Sequence, residues 1–534
     1  MEALLSYAHG ASDTPLLGET IGDNLERTVG RVPDADALVS RHQGLRYTYA
    51  ELNDAVDELA RGLIAVGLEK GDRIGIWSPN RSEWVLVQYA TAKAGIILVN
   101  VNPAYRTSEL EYALQQSGCR LLIAAPSFKT SDYVAMADQV APRVRTLERT
   151  VFFDTTGWEE LLAGAERVSQ AALEERMAAL EFDDPINIQY TSGTTGAPKG
   201  ATLSHHNILN NGFFVGEFCR YTERDRVCIP VPFYHCFGMV LPEAAFEPRA
   251  VLETVEAERC TSLYGVPTMF ISEIEHPELD SFDLGSLRTG IMAGSPCPVE
   301  VMKKVVSKMN MREVTICYGM TETSPVSTQT APDDELEKRV STVGRVHPHV
   351  EVKIVDPQTG QTVSRNTPGE LLTRGYSVME GYWNDPDRTA EAIDRHRWMH
   401  TGDLAIMDDQ GYVKIVGRSK EMVIRGGENV YPREIEEFLY GHPDISDVAV
   451  IGVPDERYGE EIMAWVILRE GSSADEESIR DYCRGRIAHF KVPRFVKIVD
   501  EFPMTVTGKV QKFKMRERAV AELGLEQAAK VETA

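Results

Sequence analysis

The chain has 534 residues, of which 43% are hydrophobic and 26% are charged, and its formal net charge is −25 with a pI near 5.0. A chain of this length and composition folds into several domains with buried cores, which excludes a disordered or fibrous protein. The negative charge repels phosphate backbones and anionic lipid surfaces, so we predict neither nucleic-acid binding nor stable membrane insertion.

The cysteines and the N-terminal residues indicate the compartment. The eight cysteines are scattered, without a CxxC pair and without the histidine spacing of a zinc site. The first residues, MEALLSYAHG, carry an acid where a secretory signal would carry Lys or Arg, and no apolar run approaches the ~20 residues that cross a bilayer. We therefore predict a cytoplasmic protein and leave open whether it forms a homodimer.

A helix followed by a strand recurs along the first part of the chain. Thr48 and Glu51 have the spacing of a capping box, and apolar residues follow at helical intervals until Gly67 ends the helix. A short β-rich run at 73–77 comes next, and the same order recurs in 83–101 and 110–124. This alternation predicts an α/β fold with buried, largely parallel sheets.

The C-terminal residues show a different pattern. Strand-like runs cover 448–453, 462–468 and 495–499. The helix predicted between the last two runs has one apolar face, made of Ile479, Tyr482, Cys483, Ile487 and Phe490. We predict a compact unit of about 110 residues here, which is a usual domain size. The predicted division is 1–418, a hinge at 419–420, and 421–534.

A loop rich in glycine and hydroxyl groups gives the strongest motif, YTSGTTGAPKG at 190–200, which follows the strand-like residues 186–189. Its glycines allow successive N–H groups to point inward, its hydroxyls add donors, and Lys199 adds a positive charge, so it can hold a polyphosphate. A flexible linker is the alternative. The Walker motif GxxxxGK[ST] and the dinucleotide motif GxGxxG are both absent, which disfavours a kinase or P-loop NTPase.

This loop resembles the signature of the adenylate-forming superfamily, which contains acyl-CoA synthetases, the adenylation domains of peptide synthetases, and firefly luciferase. Five further segments match in the family order: CYGMTET at 317–323, MHTGD at 399–403, Gly417-Arg418, RGGENVYP at 425–432 and PMTVTGK at 503–509. The match covers roughly residues 47–514. The resemblance implies a large N-terminal domain of mixed, mainly parallel sheets with packed helices, a β-barrel-like subdomain, and a small mobile α+β C-terminal domain.

The resemblance also implies the reaction. A carboxylic acid attacks the α-phosphate of ATP and forms an acyl-adenylate with release of pyrophosphate, and coenzyme A then takes the acyl group and releases AMP. The residues implied for the phosphates and Mg²⁺ include the catalytic Thr194, Lys199 and Glu322, of which Glu322 is the metal ligand. The other phosphate-loop residues are Thr191, Ser192, Gly193, Thr195 and Gly196.

Further nucleotide contacts follow from the same resemblance. Tyr318 is implied beside adenine and Thr321 at the α-phosphate, and Gly319 is implied as a further nucleotide-binding residue. The other edge of adenine is assigned to Gly294, Ser295 and Pro296. An acidic side chain can accept both ribose hydroxyls, which is the role implied for Asp403, with Arg418 donating to the same sugar or to phosphate.

The two half-reactions are assigned to different faces of the C-terminal domain. Lys509 resembles the lysine that reaches the attacking carboxylate and the α-phosphate in the first half-reaction. Lys420 occupies the position of the hinge residue whose rotation replaces that face with another. In the second half-reaction, Gly426 and Gly427 allow the pantetheine arm to pass beside the backbone.

The predicted acyl pocket is mostly apolar. Its residues are His235, Phe237, Met239, Tyr264 and Met292. Methionine suits an adaptable hydrophobic tunnel, and the absence of Lys, Arg, Asp and Glu from these segments favours a simple fatty or aryl acid over an amino acid. The overall pattern is most similar to medium-chain or longer fatty-acyl-CoA synthetases.

One stretch departs from the family pattern. After residues 237–241 the family has a helix and a strand before a Phe-Asp/Glu-Pro segment, whereas here Phe246-Glu247-Pro248 follows almost at once. Either a segment is omitted from the chain or there is a true deletion beside the acyl pocket, and intact mass compared with 59.5 kDa decides between them.

Two alternatives to the acyl-CoA synthetase remain open. In the first, adenylation is kept and the acceptor is a carrier protein, an amine or another nucleophile; free coenzyme A is favoured because the chain ends soon after Lys509 without a carrier domain. In the second, the protein is an inactive nucleotide-binding scaffold. The intact Glu322, Asp403, Arg418 and Lys509 argue against the scaffold.

Overall fold

The computed structural model describes residues 4–191, 198–235, 246–294, 297–418, 421–425, 428–455, 458–484, 486–504 and 510–525. The chain divides into two compact units. The larger unit comprises Ala8–Val352 and Thr373–His400, and the smaller unit comprises Met1–Tyr7, Lys353–Leu372 and Thr401–Ala534. Residues 401–418 thus fall with the C-terminal residues, whereas the sequence analysis placed them before the boundary. The functional boundary at 419–420 stays a prediction.

The helices and strands of the described residues have the following bounds. The helices are α1 Ile21–Arg31, α2 Tyr49–Ala65, α3 Ser82–Ala94, α4 Thr107–Ser117, α5 Tyr133–Val140, α6 Thr156–Ala163, α7 Gln170–Ala178, α8 His205–Phe218, α9 Pro248–Glu258, α10 Pro267–Ile274, α11 Val299–Lys308, α12 Leu336–Ser341, α13 Pro386–Ala392, α14 Pro432–Tyr440, α15 Glu476–Cys483 and α16 Lys512–Leu523. The strands are β1 Tyr7–His9, β2 Asp36–Ser40, β3 Leu45–Thr48, β4 Arg73–Trp77, β5 Ile97–Val101, β6 Leu121–Ala124, β7 Ser127–Phe128, β8 Ser131–Asp132, β9 Arg149–Phe152, β10 Pro185–Thr191, β11 Lys199–Ser204, β12 Val227–Cys228, β13 Ser262–Gly265, β14 Thr289–Met292, β15 Glu313–Gly319, β16 Val326–Gln329, β17 Arg345–Val346, β18 Val350–Val355, β19 Gly369–Gly375, β20 Gly381–Tyr382, β21 Met399–Met407, β22 Val413–Arg418, β23 Val423–Arg425, β24 Glu428–Val430, β25 Ile445–Asp455, β26 Gly459–Leu468 and β27 Phe495–Ile498.

A seven-stranded sheet forms the centre of the larger unit, in the order β20-β11-β10-β5-β4-β6-β9. Its strands from β10 to β9 are parallel, and β11 and β20 are added antiparallel at one side. Helix α2 buries Val56, Leu59 and Leu63 completely in the adjoining core. The predicted capping box of Thr48 and Glu51 begins this helix. These features confirm the predicted helix-then-strand units, which need helices on the sheet faces to bury parallel strands.

A second sheet of the larger unit has six strands in the order β12-β13-β14-β15-β16-β17. The first four strands are parallel, and β16 and β17 are antiparallel. Both sheets are therefore mixed and mainly parallel, as predicted. A further five-stranded sheet, β1-β18-β19-β21-β22, corresponds to the predicted barrel-like subdomain.

The C-terminal residues form an α+β unit around the sheet β24-β23-β26-β25, with β27 parallel to β26. The predicted strands are confirmed, but the predicted helix was too long. Helix α15 ends at Cys483, since Arg484 has an extended backbone (φ −61°, ψ 127°) and Gly485 follows it in the sequence. Ile487 and Phe490 still pack against the same apolar cluster from beyond the helix end.

No helix in the described parts of the chain combines the length and the apolar character that crossing a membrane requires.

Candidate active site

The carboxyl ends of three parallel strands bring together residues from three separate sequence motifs. The register aligns Gly265 of β13, Met292 of β14 and Ile316 of β15 in one row across the six-stranded sheet. Tyr264 and Tyr318 lie within two residues of this row. Ligands of α/β proteins bind outside this end of the sheet, so the row marks where a ligand would lie.

Two glycines occupy positions at this edge that a side chain would disturb. Gly294, which follows β14, is exposed and has φ +86°, a conformation that favours glycine. Gly319, at the end of β15, is also exposed, and a Cβ there would come within 1.7 Å of the carbonyl oxygen of Pro325. Tyr318 beside it is only partly buried. Tyr318 is therefore not one of the fully buried core residues.

The phosphate motif connects two antiparallel strands. Thr191 ends β10, Lys199 begins β11, and the two are paired across the sheet, with the Thr191 hydroxyl 3.4 Å from the Lys199 carbonyl oxygen. Strand β10 confirms the strand predicted before the loop. Ser192, Gly193, Thr194, Thr195 and Gly196 lie outside the described residues.

Glu322 lies in a short 3-10 turn between β15 and β16, and its residue is 6% exposed. The Tyr382 hydroxyl donates to its Oε1 at 2.8 Å. Strand β20, which carries Tyr382, pairs with β11, and Lys199 Nζ lies 4.8 Å from the centre of the Tyr382 ring. Tyr382 thus contacts both the predicted metal ligand and the lysine of the phosphate motif. Tyr382 was not among the site residues predicted from the sequence.

The donor set around Glu322 is consistent with Mg²⁺. Among the described residues no cluster of three or more His, Cys, Asp or Glu side chains could hold a metal. Magnesium is commonly bound through one or two carboxylates together with substrate phosphates and water, rather than in an all-protein cage. A single buried carboxylate next to the phosphate motif meets that description.

The predicted acyl residues divide between the two faces of the six-stranded sheet. Tyr264 packs with Ile291, Ala293 and Cys317 in one apolar cluster, and burial raises the pKa of its phenol well above the usual value. Met292 is fully buried, and alternation along β14 places it on the face opposite Ile291. Tyr264 and Met292 therefore do not share a face, which the sequence analysis did not foresee.

His235 follows a segment that is attached to the ends of β4 and β5. Asn80 donates to the Val231 carbonyl at 3.1 Å, and Asn100 donates to the Tyr234 carbonyl at 3.4 Å. The rings of Tyr234 and His235 are 4.3 Å apart. Phe237 and Met239, the other acyl residues, lie outside the described residues.

Asp403 and Arg418 are paired in the smaller unit. They are register partners on β21 and β22, and Arg418 Nε lies 2.9 Å from Asp403 Oδ1. The Asp403 residue is 7% exposed, whereas the Arg418 side chain is 53% exposed. Asp403 follows Gly402, which has a φ of +69° within β21. The structure thus brings the two predicted ribose residues together.

Several predicted site residues lie outside the described residues: Ser295 and Pro296 of the adenine segment, and Lys420, Gly426, Gly427 and Lys509 of the C-terminal motifs. Two residues near these C-terminal motifs are described and form ion pairs. Arg425, which precedes the paired glycines, donates to both carboxylate oxygens of Glu461 at 2.7 and 2.8 Å. Lys512, three residues after Lys509, forms a partly buried ion pair with Glu436 at 2.6 Å and approaches Glu421 at 3.4 Å.

Two protein-family models match this chain. The model of the AMP-binding enzyme family matches residues 25–383, and the model of the AMP-binding enzyme C-terminal domain matches residues 434–509. The protein YngI of Bacillus subtilis (strain 168) is 48% identical, with 96% of this chain and 99% of YngI covered. The mitochondrial medium-chain acyl-CoA ligase ACSF2 of Danio rerio is 46% identical, with 97% and 91% covered.

Solved structures agree with these relatives. ATP-bound MatB from Rhodopseudomonas palustris has a TM-score of 0.82 and 30% identity, with 94% of this chain and 99% of MatB covered. The anthranilate CoA ligase AuaEII in complex with anthranoyl-AMP has a TM-score of 0.83 and 25% identity, with 95% and 98% covered. The alignment with YngI extends over 542 positions, more than the 534 residues of this chain, so some of its positions have no counterpart here. The location of the difference after Leu241 stays a prediction.

Proposed function

This chain belongs to the AMP-binding enzyme family, and we propose on that basis that it activates a hydrophobic carboxylic acid with ATP and passes the acyl group to coenzyme A. The first half-reaction forms acyl-AMP and pyrophosphate, and the second forms acyl-CoA and AMP. The observation that carries the proposal is the contact of Tyr382 with both Glu322 and Lys199. It supports the proposal because the carboxylate assigned to Mg²⁺ and the lysine of the phosphate motif contact the same side chain.

The first half-reaction requires charge neutralisation around the triphosphate. Lys199 and the hydroxyls of the adjoining loop, including Thr194, bind the β- and γ-phosphates, and Glu322 would hold Mg²⁺. When bound, Mg²⁺ supplies Lewis-acid stabilisation of the charge that develops on the phosphate oxygens. Tyr318 and Gly319 hold adenine, and Thr321 donates to the α-phosphate. Lys509 donates to the attacking carboxylate and to the α-phosphate as the new bond forms.

Asp403 holds the ribose in this proposal. An ionised carboxylate offers two acceptor oxygens, enough for both sugar hydroxyls, while its other contact to Arg418 keeps it oriented. The exposed guanidinium of Arg418 retains further N–H groups for the sugar or a phosphate.

The second half-reaction uses the hairpin of β23 and β24 in this proposal. Gly426 and Gly427 follow Arg425 in the sequence, and residues without side chains would leave room for the pantetheine arm. The Glu461 carboxylate accepts two hydrogen bonds from the Arg425 guanidinium, which fixes the end of β23 that precedes the paired glycines in the sequence. Rotation at Lys420 exchanges the Lys509 face for this hairpin.

The acid is, in this proposal, a medium-chain fatty acid. The described segments of the acyl region are apolar around Tyr264, Ile291 and Ala293, so a charged or amino-bearing substrate would lose hydration without a partner. The printed name of the ACSF2 relatives also specifies medium-chain acids.

A panel of acids tests the proposal. Purified protein is incubated with ATP, Mg²⁺ and saturated acids of increasing length, aryl acids and amino acids, and pyrophosphate release is measured with and without coenzyme A. We expect turnover that needs coenzyme A and is greatest for medium chains. If coenzyme A does not stimulate pyrophosphate release and the acyl group is instead transferred to an amine or a carrier protein, the acceptor is that nucleophile and not coenzyme A. If no acid supports ATP–pyrophosphate exchange, the enzymatic proposal is rejected and the inactive nucleotide-binding scaffold is the remaining alternative.

The location and assembly of the protein are proposals as well. We propose a cytoplasmic enzyme, to be checked by fractionation of the source cells. We also propose a homodimer, to be checked by light scattering after size-exclusion chromatography, where a mass near 59.5 kDa would instead indicate a monomer.

A further inference from the structure

We propose that Tyr382 is a positioning residue for the metal site: its hydroxyl orients the Glu322 carboxylate toward the cation, and its ring supports the Lys199 ammonium. This inference rests on the proposed function, because it assigns Glu322 to the cation that accompanies ATP. Tyr382 itself touches neither substrate nor metal in this proposal.

The contact between Tyr382 and Glu322 is enclosed. The two residues are 7% and 6% exposed, and the donor and acceptor are 60 positions apart in the chain. Tyr382 Oη is the side-chain donor to Glu322 in the described part of the chain, and it engages Oε1. In this proposal Oε2 is the carboxylate oxygen that would be left for the cation. Without the hydroxyl, the carboxylate could rotate about its last side-chain bond, which is a broad and soft torsion.

The backbone around Tyr382 is fixed on both sides. The Tyr382 N–H donates to the Thr389 hydroxyl at 2.9 Å, and the Trp383 N–H donates to the Gly200 carbonyl at 2.8 Å. From the opposite direction, the Met379 N–H donates to the Glu322 carbonyl at 2.9 Å. The segment that carries Tyr382 is thus bonded both to the strand of Lys199 and to the turn of Glu322. A displacement of the Lys199 strand would therefore be transmitted to the Glu322 turn through this segment.

Tyr382 is suited to act as a neutral donor. A tyrosine phenol is uncharged at neutral pH, since it ordinarily titrates at about 10. A neutral donor orients a carboxylate without cancelling its charge, whereas an arginine or lysine in the same place would compete with the cation. Hydrogen bonds to metal-binding carboxylates are a general way in which proteins orient metal ligands.

The ring of Tyr382 contacts the Lys199 ammonium. Lys199 Nζ lies 4.8 Å from the ring centre, within the range of a cation–π contact. The contact limits where the ammonium can lie beside the phosphate motif. Tyr382→Phe therefore removes the orientation of Glu322 and leaves the support of Lys199, which separates the two contributions.

Binding of Mn²⁺ tests the proposal without turnover. Full-length wild type and variants are mixed with α,β-methylene-ATP, and free Mn²⁺ is titrated by electron paramagnetic resonance. We expect Tyr382→Phe to weaken Mn²⁺ binding by about 10-fold, since loss of such an orienting partner costs about 10- to 100-fold in metal affinity. Tyr133→Phe is the matched control, because it removes another buried hydroxyl, which donates to the Pro103 carbonyl in a separate core. It should bind Mn²⁺ as the wild type does.

A double-mutant cycle identifies the partner through which Tyr382 acts. In the Glu322→Gln background, Tyr382→Phe should produce no further loss of Mn²⁺ affinity. Equal Mn²⁺ affinity of Tyr382→Phe and wild type, or an undiminished loss in the Glu322→Gln background, would overturn the proposal. If Tyr382→Phe does not fold, Thr389→Val, which removes the acceptor of the Tyr382 N–H, takes its place with the same two criteria.

Activity measurements separate this proposal from the proposed function. In ATP–pyrophosphate exchange with the best acid, Tyr382→Phe should need about 10-fold more Mg²⁺ for half-maximal rate and should approach the wild-type rate at saturating Mg²⁺. A wild type that catalyses exchange alongside a Tyr382→Phe variant with unchanged Mg²⁺ dependence would reject the positioning role alone. A wild type without exchange on any acid would reject the proposed function instead.

Discussion

Replacement of Asp403 by Asn tests the assignment of the ribose site while preserving its shape. Asp403 is almost fully buried on β21, and Arg418 Nε lies 2.9 Å from its Oδ1. Asparagine has the same size, but it is uncharged and offers one acceptor oxygen in place of two. A nucleotide whose ribose binds here would therefore lose one hydrogen bond, and its second hydrogen bond would go to a neutral amide oxygen in place of a charged carboxylate.

The structure sets the expected magnitudes. A hydrogen bond to a charged group contributes about 1.5–3 kcal/mol, so the KM for ATP should rise by about 10- to 100-fold. Stability should change little, because the Arg418 side chain is 53% exposed and an exposed ion pair contributes about 0–1 kcal/mol. For Asp403→Asn, the KM for ATP should thus rise while the free energy of unfolding stays nearly unchanged.

The assay is ATP–pyrophosphate exchange at varied ATP, together with chemical denaturation of the same samples. Glu351→Gln is the control, since it neutralises the acid of another partly exposed ion pair, with Arg374 at 2.8 Å. It should leave the KM for ATP unchanged. A KM for ATP that does not move in Asp403→Asn would refute the ribose assignment. So would a KM change no larger than that of the control.

The remaining predictions address the half-reactions and the stability of the fold. Lys509→Ala should abolish adenylate formation and leave thiolysis of supplied acyl-adenylate largely intact, and equal loss of both steps would contradict its role. Lys420→Pro fixes φ and should block thioester formation while sparing adenylation, so unchanged thioester turnover would reject the hinge. Lys93→Met should lower the free energy of unfolding by about 3–5 kcal/mol, because the buried Lys93 ammonium is bonded to Asn53 at 2.7 Å and Asp57 at 2.5 Å, and its loss leaves buried acceptors unpaired. A loss below about 1 kcal/mol in denaturant titration would contradict this account. Burial lowers the pKa of His205 to about 4 from its ordinary 6.5, so between these values the unfolded chain binds a proton that the folded chain does not. Stability should therefore fall as the pH drops from 6.5 towards 4, by about 1.4 kcal/mol per pH unit for this group, and a His205→Asn variant with the wild-type slope would argue against it.

The sequence by itself determined the local elements and the motifs. The capping box of Thr48 and Glu51, the strand before the phosphate loop and the alternation of helix and strand depend on residues close together in the chain, so they can be read from spacing. The order of the adenylate-forming motifs likewise depends only on sequence. The helix end at Cys483 was missed because Ile487 and Phe490 join the same apolar cluster from outside the helix. Apolar residues at these positions are expected whether or not the helix continues, so their spacing could not locate its end.

The tertiary structure decided which distant residues meet. Tyr382 and Glu322 are 60 positions apart, and only the pairing of β20 with β11 makes the tyrosine available to both Glu322 and Lys199. The separation of Tyr264 from Met292 depends on parallel register, since a shift of one residue would exchange the faces. Register and long-range contacts result from packing of the whole domain, whereas spacing along the chain constrains only near neighbours.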